Sequence, residues 1–93
     1  MIISFKNKDT ESIFKGVLAK KLPHDIQQVA RRKLIMLDSS HRLADLKAPP
    51  SNHLEKMEKY RKGDWNIRIN DQFRIVFTWT DGNCYDVEII DYH

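Results

Sequence analysis

An α+β fold, with two N-terminal helices packed on a twisted antiparallel sheet, is the architecture this sequence predicts. Three observations carry the expectation. Apolar residues up to Leu37 recur at helical spacing, whereas from Trp65 onward they alternate with a period of two. Between the two regimes, Pro49-Pro50-Ser51-Asn52 forms a stiff loop through which no helix continues.

The elements follow in order. Ile2, Ile3 and Phe5 read as a short first strand. Asp9 or Thr10 is positioned to cap a helix whose apolar face is Ile13, Phe14, Val17 and Leu18. Pro23 and Asp25 open a second helix with the stripe Ile26, Val29, Ala30, Leu34 and Leu37, ending near Ser39-Ser40. Arg31, Arg32 and Lys33 lie mostly off that stripe. Trp65, Ile67 and Ile69 then alternate with Asn66, Arg68 and Asn70, and Phe73, Ile75, Phe77 and Trp79 with Arg74, Val76 and Thr78. Asp81-Gly82 marks a turn, after which Tyr85, Val87 and Ile89 alternate. The result is a β-α-α unit followed by an antiparallel meander, in which the helices cover one face of the sheet.

Register sharpens this picture. Both arginine-bearing strands place their apolar rows at odd positions, so a shared core face requires an even pairing sum. A loop of Asn70-Asp71-Gln72 then opposes Ile69 with Phe73 and, two residues out, Arg68 with Arg74. Like charges facing each other on a sheet are unfavourable. Either an anion such as a phosphate sits near them, or solvent and neighbouring carboxylates screen the pair.

The 93 residues predict one domain, spanning 1–93, with a core small enough for a bound partner to add much of its stability. Apolar runs are only a few residues long, and Met1-Ile2-Ile3-Ser4-Phe5 lacks a charged segment before a long apolar stretch. The expectation is a cytoplasmic protein with no membrane association. Cys84 is the only cysteine and reads as a buried thiol. The net charge of +3 conceals an asymmetry: residues 1–62 hold fourteen Lys/Arg against seven Asp/Glu, and residues 63–93 hold two against six. Such a basic portion suits a polyanion, nucleic acid being the commonest, although basic helix surfaces are often only solvated.

Chemistry-bearing residues are few. His24, His41, His53 and His93 are scattered without metal-ligand spacing, and Gly16, Gly63 and Gly82 are too isolated for a phosphate loop. No serine or cysteine has a nucleophile's context. Asp91-Tyr92-His93 is the unusual feature, an imidazole titrating near neutrality beside a phenol and a carboxylate at the end of a strand. RNA cleavage by its own 2′-hydroxyl needs that proton removed, the charged phosphorane stabilised and the leaving 5′-oxygen protonated, none of which requires a cofactor. Imidazole and phenol can move the protons, and an arginine fork can neutralise the phosphate oxygens. Taken alone, such a tripeptide is more often a frayed or merely packed strand end, so by itself it is a weak signal.

Longer stretches add specificity. Pro49-Pro50-Ser51-Asn52-His53-Leu54-Glu55, Arg61-Lys62-Gly63, Trp65-Asn66-Ile67-Arg68-Ile69-Asn70-Asp71-Gln72-Phe73-Arg74-Ile75 and Asp86-Val87-Glu88-Ile89-Ile90-Asp91-Tyr92-His93 together resemble the HigB branch of the RelE/ParE toxins. Ser4-Phe5 and the helix around Arg32-Lys33-Leu34 and Met36-Leu37-Asp38 agree more loosely. The resemblance implies a RelE/microbial-RNase-like fold and a ribosome-dependent mRNA endoribonuclease of a type II toxin–antitoxin system. It also implies a HigA-like antitoxin with a helix-turn-helix, through which alone operator DNA is contacted. Arg74 matches the arginine that holds the scissile phosphate; Asp91, Tyr92 and His93 match the catalytic end, with His93 the acid or base. Glu55 stands where some members carry histidine and Glu58 where many carry lysine, which turns attention to Lys56, Lys59 and His53 as substitutes. Lys56, Lys59, Arg61, Lys62 and Arg68 are read as RNA- or ribosome-binding residues, with solvated surface the alternative for Arg61, Lys62 and Arg68. The competing classes are a ParE-like gyrase poison and a non-catalytic interaction module of the same fold.

Overall fold

The computed structural model describes residues 1–92. Helix α1 covers Lys8–Phe14 and helix α2 covers His24–Ser39; two short 3-10 turns, Leu43–Lys47 and Pro50–Asn52, follow. Strands β1 (Glu55–Lys56), β2 (Trp65–Arg68), β3 (Phe73–Thr80) and β4 (Asn83–Asp91) form one antiparallel sheet in the order β1-β2-β3-β4. The α+β architecture expected from the change of period is present.

Helix α1 differs in detail from the expectation. Its cap is Asn7, in extended backbone, whose side chain accepts the Thr10 N–H at 2.9 Å; Asp9 and Thr10 lie inside the first turn. Thr10 is fully buried and its hydroxyl accepts the Ile89 N–H at 3.0 Å, so one side chain ties α1 to an edge amide of β4. The helix stops before Gly16, which takes a left-handed φ of +84°, so Val17 and Leu18 fall beyond it and are exposed rather than on its apolar face. In α2, Ile26, Ala30, Leu34 and Leu37 are buried as their spacing demands. Gln27 joins them in the interior by bonding the N–H and carbonyl of Ala19 and the carbonyl of Leu22.

The core unites this stripe with Leu46, Ile67, Ile75, Phe77 and Val87. Ile2 and Phe5 make isolated parallel bridges to Cys84 and Val87 instead of a continuous first strand. The interruption is a bulge: Asp86 has a left-handed φ of +51°, and its N–H is taken by the Ser4 hydroxyl at 2.9 Å. Opposite it the register shifts between Val76 and Thr78. That shift turns Cys84, not Tyr85, into the core, correcting the even alternation expected there. Burial pushes the Cys84 thiol up to about 12, so it stays protonated and unreactive at neutral pH.

The face away from the helices is also covered, by residues 57–64. Their backbone closes on itself through Met57 N to Asp64 O at 2.7 Å and Gly63 N to Met57 O at 3.0 Å. Met57 is buried beneath this loop, and Val76, from the even row of β3, has no exposed surface. Among the described residues no helix is long and apolar enough to cross a membrane.

Candidate active site

Arg74 leaves β3 on the face opposite the helices, paired in register with Arg68 of β2 as the even sum requires. Each arginine has its own carboxylate: Arg68 with Asp71, and Arg74 Nη1 with Glu55 Oε1 at 2.9 Å. Nearby carboxylates therefore offset the like-charge contact, one of the two resolutions considered above. The Arg74 side chain is 15% exposed and Glu55 is 57% exposed, which makes the pair a partly solvated one at a rim.

Beneath that pair lies Asn66, fully buried on β2. Its Nδ2 donates to the Glu55 carbonyl at 3.2 Å and contacts Met57 Sδ at 3.1 Å, which leaves Oδ1 to accept from Arg74 Nη1 at 2.8 Å. The carbonyl of His53 takes the same nitrogen at 3.3 Å. The Tyr92 ring covers the guanidinium, with Cζ 4.8 Å from its centroid. One nitrogen of the fork is thus anchored by Glu55, Asn66 and His53 and one face is stacked. Nε and Nη2 donate to no group among the described residues, leaving an edge with the planar spacing that phosphate oxygens accept.

Tyr92 is held by its own backbone, whose N–H donates to the Gln72 carbonyl at 2.6 Å. The Gln72 amide also donates to Asp91 Oδ2 at 3.0 Å, fixing the carboxylate at the end of β4. Both residues line a cleft of about 620 Å³ between Ile90–Tyr92 on one side and Glu55–Tyr60 on the other. Arg74 borders it through Glu55 and Tyr92. His93, expected as the acid or base, lies outside the described residues.

The basic residues separate into groups. Lys56 faces the cleft with its ammonium 5.7 Å from the Trp65 ring centroid. Lys59 lines the cleft, and both it and Lys62 are exposed without an ion pair among the described residues. Arg61 is different. Its side chain is 9% exposed, and it binds Asp64 at 2.8 Å, Glu88 at 3.0 Å, the Asp86 carbonyl at 2.7 Å and the Thr78 hydroxyl at 3.2 Å. Tyr60 adds a hydroxyl bond to Glu88 at 2.6 Å. With its guanidinium occupied, Arg61 belongs to the packing of the loop on the sheet and is withdrawn from the RNA-contact set.

Asn66 and the loop of residues 57–64 were missed from sequence. An asparagine in a strand gives no signal of its donors' direction, and the mixed polar composition of the loop gives no periodicity. In the sequence Glu55 stands out only as a departure from the family pattern; its role against Arg74 depends on the β1–β2 pairing, Glu55 with Asn66, which a two-residue strand does not announce. Among the described residues, no group of His, Cys, Asp and Glu is arranged to hold a metal ion.

Comparison with known proteins agrees with this geometry. A family model described as RelE-like toxin of type II toxin–antitoxin system HigB matches residues 3–93. The chain is 37% identical over 83 residues to "Toxin HigB-1" of Vibrio cholerae, covering 88% of this chain and 87% of that protein. It is 30% identical over 94 residues to "Endoribonuclease HigB" of Proteus vulgaris, across 100% of both. An uncharacterized protein of Haemophilus influenzae shares 37% over 64 residues, 69% of this chain and 63% of that protein. On the strength of a match that runs from the first edge segment through Arg74 to the end of β4, the chain belongs to the HigB-like family of RelE-like toxins of type II toxin–antitoxin systems.

Proposed function

We propose that the chain is a ribosome-dependent mRNA endoribonuclease that inhibits translation in the cytoplasm and is restrained by a HigA-like antitoxin. The observation that carries this is Arg74: anchored through one nitrogen, stacked by Tyr92, and open along the edge of its fork, with its partners Glu55 and Tyr92 lining the cleft. That edge suits a scissile phosphate, on which charge accumulates as the 2′-oxygen attacks. The 2′-O–P bond forms as the P–O5′ bond breaks, and the departing oxygen takes a proton. Tyr92 has its hydroxyl free of partners among the described residues and stands beside Arg74 to donate or relay that proton. His93, next in the chain, supplies the imidazole that exchanges protons with the 2′-hydroxyl or the leaving group. Asp91 orients this end of the chain through Gln72.

A relative named as an endoribonuclease spans the full chain, which supports the activity. Dependence on the ribosome is what the family resemblance implies, and it is physically sensible for a sparse acid/base set, because placing the 2′-hydroxyl in line with the phosphate can supply several kcal/mol of barrier reduction. Operator DNA is reached only through the antitoxin. Mapping mRNA 5′ ends after brief induction of the free toxin tests the whole reading. In-frame cuts within translated regions are expected; intact mRNA with damaged DNA would transfer the protein to the gyrase-poison class.

A further inference from the structure

The cationic surface continues past Arg74 through the 3-10 turn Pro50–Asn52. His53, which caps that turn with a left-handed φ of 45°, gives its carbonyl to Arg74. Its neighbour Asn52 is fully buried, with Nδ2 donating to the carbonyls of Leu46 and Ala48 at 3.1 and 3.2 Å. The remaining Oδ1 accepts from Lys33 of α2. Adjacent residues thus hold Arg74 on one side and Lys33 on the other. Arg68 stands across β2–β3 from Arg74, and its carboxylate partner among the described residues, Asp71, projects into solvent at 96% exposure. Neither Lys33 nor Arg32 has an ion pair among the described residues.

Partial burial, together with the positive charges of Arg32 and Arg68, holds the Lys33 ammonium below the ordinary lysine range. A charge under that pressure is relieved by an arriving anion. The lysine also has donors to spare, since an ammonium carries more N–H groups than Asn52 consumes.

We propose that Lys33 and Arg68 form a second phosphodiester site, taking an RNA backbone phosphate next to the one at Arg74. The proposal rests on Arg74 being the scissile-phosphate residue and extends that site along the strand. Two phosphates held by cations on separate elements fix the direction of the backbone across Arg74, whereas one phosphate leaves the strand free to pivot. The phosphate belongs either to the message or to ribosomal RNA, and both present the same chemistry.

The test uses the full chain and a non-cleavable 2′-O-methyl oligonucleotide, titrated by fluorescence anisotropy across salt concentrations. Ribosomes without message form a second arm. Lys33→Met and Arg68→Gln are each expected to lower the salt slope by roughly 0.7, one lost phosphate contact on a single strand, while Lys33→Arg retains it. A drop with the oligonucleotide assigns the phosphate to message; a drop with ribosomes alone assigns it to ribosomal RNA. Because Lys33 also steadies Asn52, the Arg68→Gln arm stands where Lys33→Met fails to fold. Unchanged slopes in both arms overturn the second site. Failure of the nuclease reading is separate, since it is read from Arg74→Ala and from the cleavage map, whereas these titrations measure binding alone.

Discussion

Arg74 shows how a single guanidinium can be built into a fold and still be available. Asn66, Glu55 and the His53 carbonyl converge on Nη1, and Tyr92 covers one face, so the plane of the fork is set before any ligand arrives. Preorganised donors act on developing charge without reorganising. Arg74→Ala is therefore expected to slow single-turnover cleavage by ~10²–10³-fold, the effect of removing one such donor. Arg74→Lys should restore it only in part, because an ammonium lacks the planar fork; full rescue by lysine would remove the fork from the account. On the proposed reading Glu55 acts in the opposite sense, as a carboxylate paired with the guanidinium proposed to receive RNA phosphate. Glu55→Gln keeps an oxygen for Nη1 and removes the charge, so a non-cleavable oligonucleotide should bind about two- to fivefold tighter, the range of an exposed ion pair. Unchanged or weaker binding in a direct titration would show that the carboxylate does not compete with phosphate.

At the scale of elements, sequence and structure agree where one physical rule dominates. Helix α2 was readable because Ile26, Ala30, Leu34 and Leu37 follow a single period, and the Arg68–Arg74 register because two apolar rows must share a face. Agreement fails where a local backbone device intervenes. Gly16 ends α1 before Val17, and the Asp86 bulge rotates Cys84 inward, yet neither alters the hydrophobic pattern enough to be seen. Arg61 and Lys62 are adjacent cations with the same appearance in sequence. Only the folded loop distinguishes them, because Glu88, on the strand below, reaches Arg61. Breaking that buried pair leaves Glu88, among the described residues, with only the Tyr60 hydroxyl and the more distant Lys6 ammonium, so Arg61→Ala is expected to destabilise the protein by about 2 kcal/mol. Charge reversal at Lys59 and Lys62 should leave stability nearly unchanged and weaken ribosome association with a shallower salt dependence. Denaturant unfolding alongside ribosome binding checks both. Equal stability losses at Arg61 and Lys62 would contradict the division.

For the whole molecule, the decisive facts are a small core and an asymmetric charge. Both helices and the sheet meet in one cluster, while exposed Val17, Leu18, Met1 and Ile3 remain outside it. A type II family implies an antitoxin partner, and any partner that binds the native state stabilises it by mass action. At a free antitoxin concentration of roughly a hundred times Kd, the gain is about 2.7 kcal/mol. For a chain of this length, that raises Tm by roughly 10–20 °C. Differential scanning calorimetry at increasing HigA-like antitoxin is expected to show this rise, and a Tm independent of antitoxin would mean no tight native complex. Where the antitoxin sits is a separate matter, and the geometry of Arg74 allows a direct answer. If it blocks entry to the ribosome by bulk, the open edge of Arg74 and the cleft beside Tyr92 stay accessible. A short non-cleavable oligonucleotide then binds free toxin and complex alike in calorimetric titration. If the antitoxin covers the fork, binding of that oligonucleotide disappears from the complex. We expect equal binding, since an inhibitor too large to enter the ribosome does not have to touch the phosphate site; loss of binding would instead establish occlusion at Arg74.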